Sequence, residues 1–122
     1  MNAGILIRIV EGKNNILVID DEQDMCSSVK ELLEYEGFCV DCVSSGDAAV
    51  GNIKAKKGYS FFIVDGFVGS ENGINIAKSI LNLCPAAKII FFSGSPLPAQ
   101  YHSMFHKVVH KTDLRGLQRA VS

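Results

Sequence analysis

Asn15-Ile16-Leu17-Val18-Ile19-Asp20-Asp21-Glu22 is the stretch on which the fold turns. Its apolar part runs without polar alternation, as a strand does when both of its faces are buried. It then stops on consecutive carboxylates. Met25, Val29, Leu32 and Leu33 follow at helical spacing, with Glu22 and Asp24 in the first turn and Gly37 as C-terminal cap. A strand buried on both faces and followed by an amphipathic helix is the opening unit of a parallel sheet.

The rest of the chain repeats that unit. Phe38 to Val43 predicts a second strand, and Ser45 caps a helix carrying Ala48, Ala49 and Ile53. Tyr59 to Val64 predicts a third strand. After a glycine-rich loop, Ile74, Ala77, Ile80 and Leu81 mark a third helix that Pro85 ends. Lys88 to Phe92 is a fourth strand, and Lys107 to His110 a fifth. Leu114, Leu117 and Val121 mark a last helix, capped by Thr112 or Asp113. Five strands alternating with helices imply an α/β, flavodoxin-like (βα)5 three-layer sandwich with parallel sheet order 2-1-3-4-5.

The fourth connection is tight. Between Ser93 and Lys111 lie 17 residues, and 13 remain once the fifth strand is placed. That is close to the ~10–12 residues a whole crossover needs. Pro96 and Pro98 restrict its start, so the fourth helix is shortened to about two turns, roughly Pro98 to Phe105, with Tyr101 and Phe105 as its apolar stripe.

The chain has 122 residues, 48% of them apolar and 20% charged, with a net charge of -1. This suits one domain over residues 13–122, with residues 1–12 an N-terminal extension that could be an extra strand, a tail or a matter of start-site choice. The composition excludes disorder, and the charge balance argues against direct nucleic-acid binding. No apolar run reaches the ~20 residues of a membrane span, and Ile5 to Val10 is too short for a signal-peptide core. The expected location is the cytoplasm, where Cys26, Cys39, Cys42 and Cys84 read as small buried hydrophobes.

Ligands of open parallel sheets bind beyond the carboxyl ends of the strands. Here the first strand ends in Asp20 and Asp21, the third in Asp65 and the fourth in Ser93, while the fifth runs into Lys111. Alone, an aspartate after a strand is ordinarily a helix cap, a serine a turn residue and a lysine a solvated charge. Together they deliver polar groups from four strands to one rim. Converging carboxylates repel unless protonated or bridged by a cation, and an all-oxygen, partly open site suits Mg²⁺. A carboxylate nucleophile, a metal seat, a hydroxyl and an ammonium fit phosphoryl transfer.

At this point the chain resembles the receiver domain of bacterial two-component response regulators. The resemblance runs through Ile16 to Glu22, Phe62-Ile63-Val64-Asp65, Gly73, Ile89-Ile90-Phe91-Phe92-Ser93-Gly94 and Lys111. It implies that Asp65 is the phosphoacceptor. Asp21 would ligate Mg²⁺ directly and Asp20 mainly through water, with the backbone carbonyl of Phe67 as third protein ligand beside Asp65. Ser93 would take the switch-hydroxyl position, and Lys111 would pair first with Asp65 and then with the phosphoryl group. The implied donor is a sensor histidine kinase or a phosphotransfer protein. The implied output is a conformational change toward a partner that the sequence does not identify, or self-association, through the fourth helix, fifth strand and fifth helix. The implied role is a phosphoacceptor that assists its own phosphorylation and dephosphorylation, and not an enzyme.

Three positions depart from the family pattern. Gly69 stands where a proline is usual, Thr112 follows the lysine in place of another proline, and Val108 replaces the usual switch aromatic. The first suggests a freer segment after Asp65. The last removes a ring flip as signal and shifts the expected switch to an order change over Gly94 to His106.

Cys39-x-x-Cys42 and His102-x-x-x-His106 mimic a zinc signature. Their separation is far too long for a finger, and residues three apart on a strand face opposite sides. A flavodoxin-type phosphate loop conflicts with the acidic Asp20-Asp21-Glu22. The reading from a different class is a receiver-like interaction module that docks a partner without phosphorylation.

Overall fold

The computed structural model describes residues 14–56 and 58–122; the 1–12 extension lies outside them. Elements follow the order β1 (Asn15–Ile19), α1 (Gln23–Tyr35), β2 (Cys39–Val43), α2 (Gly46–Ala55), β3 (Tyr59–Val64), β4 (Phe67–Val68), β5 (Glu71–Asn72), α3 (Gly73–Leu83), β6 (Ile89–Ser93), a 3₁₀ helix (Ala99–Met104), β7 (Lys107–His110) and α4 (Leu114–Ala120). The five-stranded sheet runs β2-β1-β3-β6-β7, every pair parallel. Apart from the small β4–β5 hairpin, this is the 2-1-3-4-5 order that the sequence predicts.

Alternation within β1 explains its uninterrupted apolar run. Ile16 and Val18 pack with Val29 and Leu33 of α1 and Leu117 of α4. Leu17 and Ile19 face Ala49 and Ile53 of α2 and Ala77 and Ile80 of α3. Two cores therefore sandwich the sheet, and burying each such side chain contributes roughly 1.5–3 kcal/mol. Among the capping residues, Ser45 accepts from the Ala48 N–H at 3.1 Å, and Asp113 rather than Thr112 caps α4 by accepting from Gly116 at 2.8 Å. At the end of α1 the Phe38 N–H bonds the Leu33 carbonyl and Gly37 that of Glu34, the Schellman pattern.

The segment after Asp65 is a hairpin rather than a loose loop. Phe67 pairs with Asn72 and Val68 with Glu71, leaving Gly69-Ser70 as a two-residue turn. Gly69 has φ +62°. A proline, fixed near −65°, could not make this turn, so the departure from the family pattern is a requirement of the hairpin. Glu71 then accepts from the Gly46 N–H at 2.9 Å, fastening the hairpin to the start of α2.

The shortened fourth helix is present, but as a 3₁₀ helix that begins after Pro98. A 3₁₀ helix rises ~2.0 Å per residue against 1.5 Å for an α-helix, which lets few residues span the crossover. Leu97 and Phe105 bury its two ends, Tyr101 and Met104 pack beside them, and the His102 ring bonds the Leu97 carbonyl at 2.9 Å. The peptide between Lys111 and Thr112 is trans. The cysteines correct one expectation: Cys26 is buried, Cys42 and Cys84 are half-buried and Cys39 is exposed, because Cys39 opens the edge strand β2.

Candidate functional site

Register brings the strand ends level. Ile19 lies opposite both Val43 and Val64, and Val64 opposite Phe91. Asp20 donates its N–H to the Val43 carbonyl at 3.0 Å, and Asp65 donates to that of Ile19 at 3.1 Å. The two aspartates therefore stand side by side as the sheet ends. Asp20 is 3% and Asp65 7% exposed, while Asp21 lies in solvent. Carboxylate oxygens of Asp20, Asp21 and Asp65 all lie within 4.8 Å of one another.

Lys111 reaches this cluster from the end of β7, where its N–H bonds the Ser93 carbonyl at 3.1 Å. Its Nζ lies 2.8 Å from Asp65 Oδ2, 3.0 Å from Asp20 Oδ2 and 2.9 Å from Glu22 Oε1. The other oxygen of Asp65 accepts from the Gly66 N–H at 2.7 Å, and that of Asp20 from the Glu22 N–H at 2.9 Å. Ser93 is buried, and its Oγ accepts from the Ser95 N–H at 3.1 Å. That leaves its O–H as the donor. A Cβ built on Gly66 would stand 2.6 Å from this Oγ, so the serine borders the backbone next to Asp65.

The structure thus brings together Asp20, Asp21, Asp65, Ser93 and Lys111, as the sequence predicts. Phe67 sits two residues beyond Asp65 in β4 and is 58% exposed. Glu22 is the member that sequence reasoning missed as a partner of Lys111, although it stands in the same acidic run. His102 and His106 lie far in sequence from the cysteines and share no metal-capable cluster with them among the described residues.

Burial raises the pKa of Asp20 above the ordinary carboxylate range, against the opposing bonds from Glu22 and Lys111. Burial alone would lower that of Lys111, but its bonds to Asp65, Glu22 and Asp20 outweigh this and raise it, so the ammonium stays charged. A carboxylate raised above its unfolded pKa gives stability that is present below about pH 4 and lost as pH rises through the folded value. Asp20→Asn removes that loss and keeps an acceptor for the Glu22 N–H, while turning its NH₂ toward Lys111. The variant is expected to show a flatter decline in Tm from about pH 4 upward in calorimetry. An unchanged pH profile would mean that Asp20 is not the carboxylate under strain.

The donor set fits a hard divalent cation: all oxygen, anionic, partly open and beside a hydroxyl and an ammonium. A carboxylate with an ammonium, a hydroxyl and a cation seat at one sheet end is a set of groups chemically suited to phosphoryl oxygens.

Comparison with known proteins gives the family. Residues 16–109 match the family model described as response regulator receiver domain, and the chain belongs to that family. Over 68 residues it is 34% identical to the two-component response regulator PprB of Pseudomonas aeruginosa, covering 54% of this chain and 24% of PprB. Over 67 residues it is 33% identical to the transcriptional regulatory protein CpxR of Escherichia coli, covering 55% of this chain and 28% of CpxR. The matched part thus spans about a quarter of these relatives' length. A receiver domain structure from Clostridium thermocellum superposes with a TM-score of 0.80 at 23% identity, covering 88% of this chain and 90% of that one. The response regulator TrrA of Thermotoga maritima, solved in complex with Mg²⁺-BeF, gives 0.73 at 24% identity, covering 89% of this chain and 99% of TrrA. These likenesses show the fold. No helix among the described residues is long and apolar enough to cross a membrane.

Proposed function

We propose that this receiver domain, residues 13–122, accepts a phosphoryl group on Asp65 from the phosphohistidine of a sensor histidine kinase or phosphotransfer protein in the cytoplasm. The observation that carries the reading is the pairing of the nearly buried Asp65 with Lys111 at 2.8 Å, beside the carboxylates of Asp20 and Asp21.

An Asp65 oxygen forms the bond to phosphorus as the phosphorus–nitrogen bond breaks, and the electron pair leaves with the imidazole. The Gly66 N–H orients the carboxylate. Ser93 donates a hydrogen bond from its hydroxyl to a phosphoryl oxygen, and Lys111 exchanges its contact with Asp65 for one with the transferred group. Asp21, Asp65 and the Phe67 carbonyl, with Asp20 mainly through water, would hold Mg²⁺, which would supply neutralisation of the phosphoryl charge. The exposure of Asp21 and the engagement of both Asp20 oxygens by Glu22 and Lys111 support that division of labour.

The test is direct. With Mg²⁺ and a small-molecule phosphodonor, intact mass is expected to rise by one phosphoryl group, about 80 Da, and a chelator should prevent the gain. No gain under any donor would favour the docking module.

The exposed Phe67 ring, two residues past the acceptor, offers no polar group to position water. Slow self-dephosphorylation is expected, and Phe67→Asn should speed it severalfold in a mass-resolved time course. An unchanged rate would show that Phe67 shields nothing. Val108, 48% exposed on the edge strand β7, supports an output surface over the 3₁₀ helix, β7 and α4, used by a partner or by self-association. With no ring at this position to report phosphorylation, the response falls to the ordering of residues 94–106.

A further inference from the structure

We propose that Cys26 and Cys42 are a redox-active dithiol that a peroxide closes to a disulfide, releasing the backbone of Asp20. The pair is assembled by packing: Cys26 lies in α1, Cys42 in β2, and both belong to the core between α1 and the sheet. The Cys42 thiol donates to the Cys26 carbonyl oxygen at 3.6 Å, which seats it against the residue it would join. Cys26 is 5% exposed, whereas Cys42 is half-buried and reachable by a small oxidant.

Both main-chain polar groups of Asp20 are tied to this pair. The Cys26 thiol donates to the Asp20 carbonyl at 3.4 Å. The Asp20 N–H donates to the carbonyl of Val43, the residue after Cys42, at 3.0 Å.

The chemistry balances with hydrogen peroxide as oxidant. The Cys42 thiolate attacks one peroxide oxygen, the O–O bond breaks and hydroxide leaves, giving a sulfenic acid. The Cys26 sulfur then attacks the Cys42 sulfur. The S–O bond breaks, and the Cys26 proton departs with the hydroxyl as water. Two thiols and one peroxide become one disulfide and two waters. The proton lost is the one that Cys26 donates to Asp20, so oxidation removes that hydrogen bond by stoichiometry.

The experiment uses the full chain, treated with hydrogen peroxide, alkylated and mapped without reduction. Cleavage after Lys30 separates the two cysteines, and a Cys39→Ser background leaves one thiol on the second peptide. Expected is an intramolecular 26–42 crosslink, lighter by two hydrogens and reversed by dithiothreitol. It should be lost in Cys42→Ser and kept in Cys84→Ser. Cys42 stopping at sulfinic acid with Cys26 still alkylatable, or a crosslink that disappears once Cys39 is replaced by serine, would overturn the pair.

The effect on Asp20 rests on the metal-binding reading above. Calorimetric titration with Mg²⁺ should show weaker binding by the disulfide form than by the reduced form. Equal binding would overturn the coupling to Asp20. Absence of binding by the reduced form would overturn the metal reading instead, since the crosslink is read independently of it.

Discussion

Asp65→Asn is expected to abolish the phosphoryl gain while the protein stays folded. The amide keeps the shape of the carboxylate but is no nucleophile toward phosphorus. It also cannot satisfy both neighbours at once, because the Gly66 N–H at 2.7 Å and the Lys111 ammonium at 2.8 Å are both donors. Whichever way the amide turns, its NH₂ faces one of them. Against that loss stands the relief of removing one charge from a crowded acidic cluster. The two opposing changes are of similar size, about 1 kcal/mol each, so stability should move little while labelling disappears. Intact mass and circular dichroism on the same sample check both halves. Labelling at the wild-type level would move the acceptor to another residue, and hydroxylamine would then tell a carboxyl from a hydroxyl ester.

The second large effect belongs to a residue with no side chain. Gly73→Ala is expected to destabilise the fold by about 3 kcal/mol and to disturb the acceptor even where the chain remains folded. A Cβ at Gly73 would run into the Asp65 carbonyl oxygen, with the Asp65 carbonyl carbon at 3.0 Å and the Gly66 Cα at 3.1 Å. All three are backbone atoms, so no flexible side chain can give way. The approach is closed by the Gly73 N–H, which bonds the Gly66 carbonyl at 2.8 Å and pins the start of α3 under the acceptor. Gly51 is the control. It lies inside α2 with nothing within 4 Å of a built Cβ. Gly51→Ala should therefore stabilise by about 0.5–1 kcal/mol through helix propensity. Chemical denaturation of both variants decides the matter, and equal midpoints would remove the steric argument.

These cases show what a sequence discloses and what it withholds. β1 was readable because burial on two faces leaves an unbroken apolar run. The rim was readable because strand ends are marked by the change from apolar to charged, at Asp20, Asp65 and Ser93. The spacing of Gly73 was visible, but its reason needed the backbone contact with Asp65. The β4–β5 hairpin left no periodic signal, since strands of two residues are too short to show one, and its trace in the sequence was the glycine at position 69 in place of the usual proline. The crossover length could be counted, but its 3₁₀ winding follows from the distance to be spanned. Glu22 and Lys111 meet across the sheet from opposite ends of the chain. The contact of Cys26 with Cys42 depends on how α1 lies over β2, which no local pattern encodes.

The triple grip on Lys111 has a consequence for selectivity among ions. An ammonium tethered among three carboxylates acts as a built-in counter-ion, at an effective concentration far above that of free salt. Monovalent cations from solution cannot outcompete it, because they bring the same charge without the tether. A doubly charged ion brings more charge to the same oxygens and can settle at the exposed Asp21 side without evicting the lysine. The resting ion pairs would then work as a valence filter, indifferent to sodium or potassium and responsive to small divalent metals.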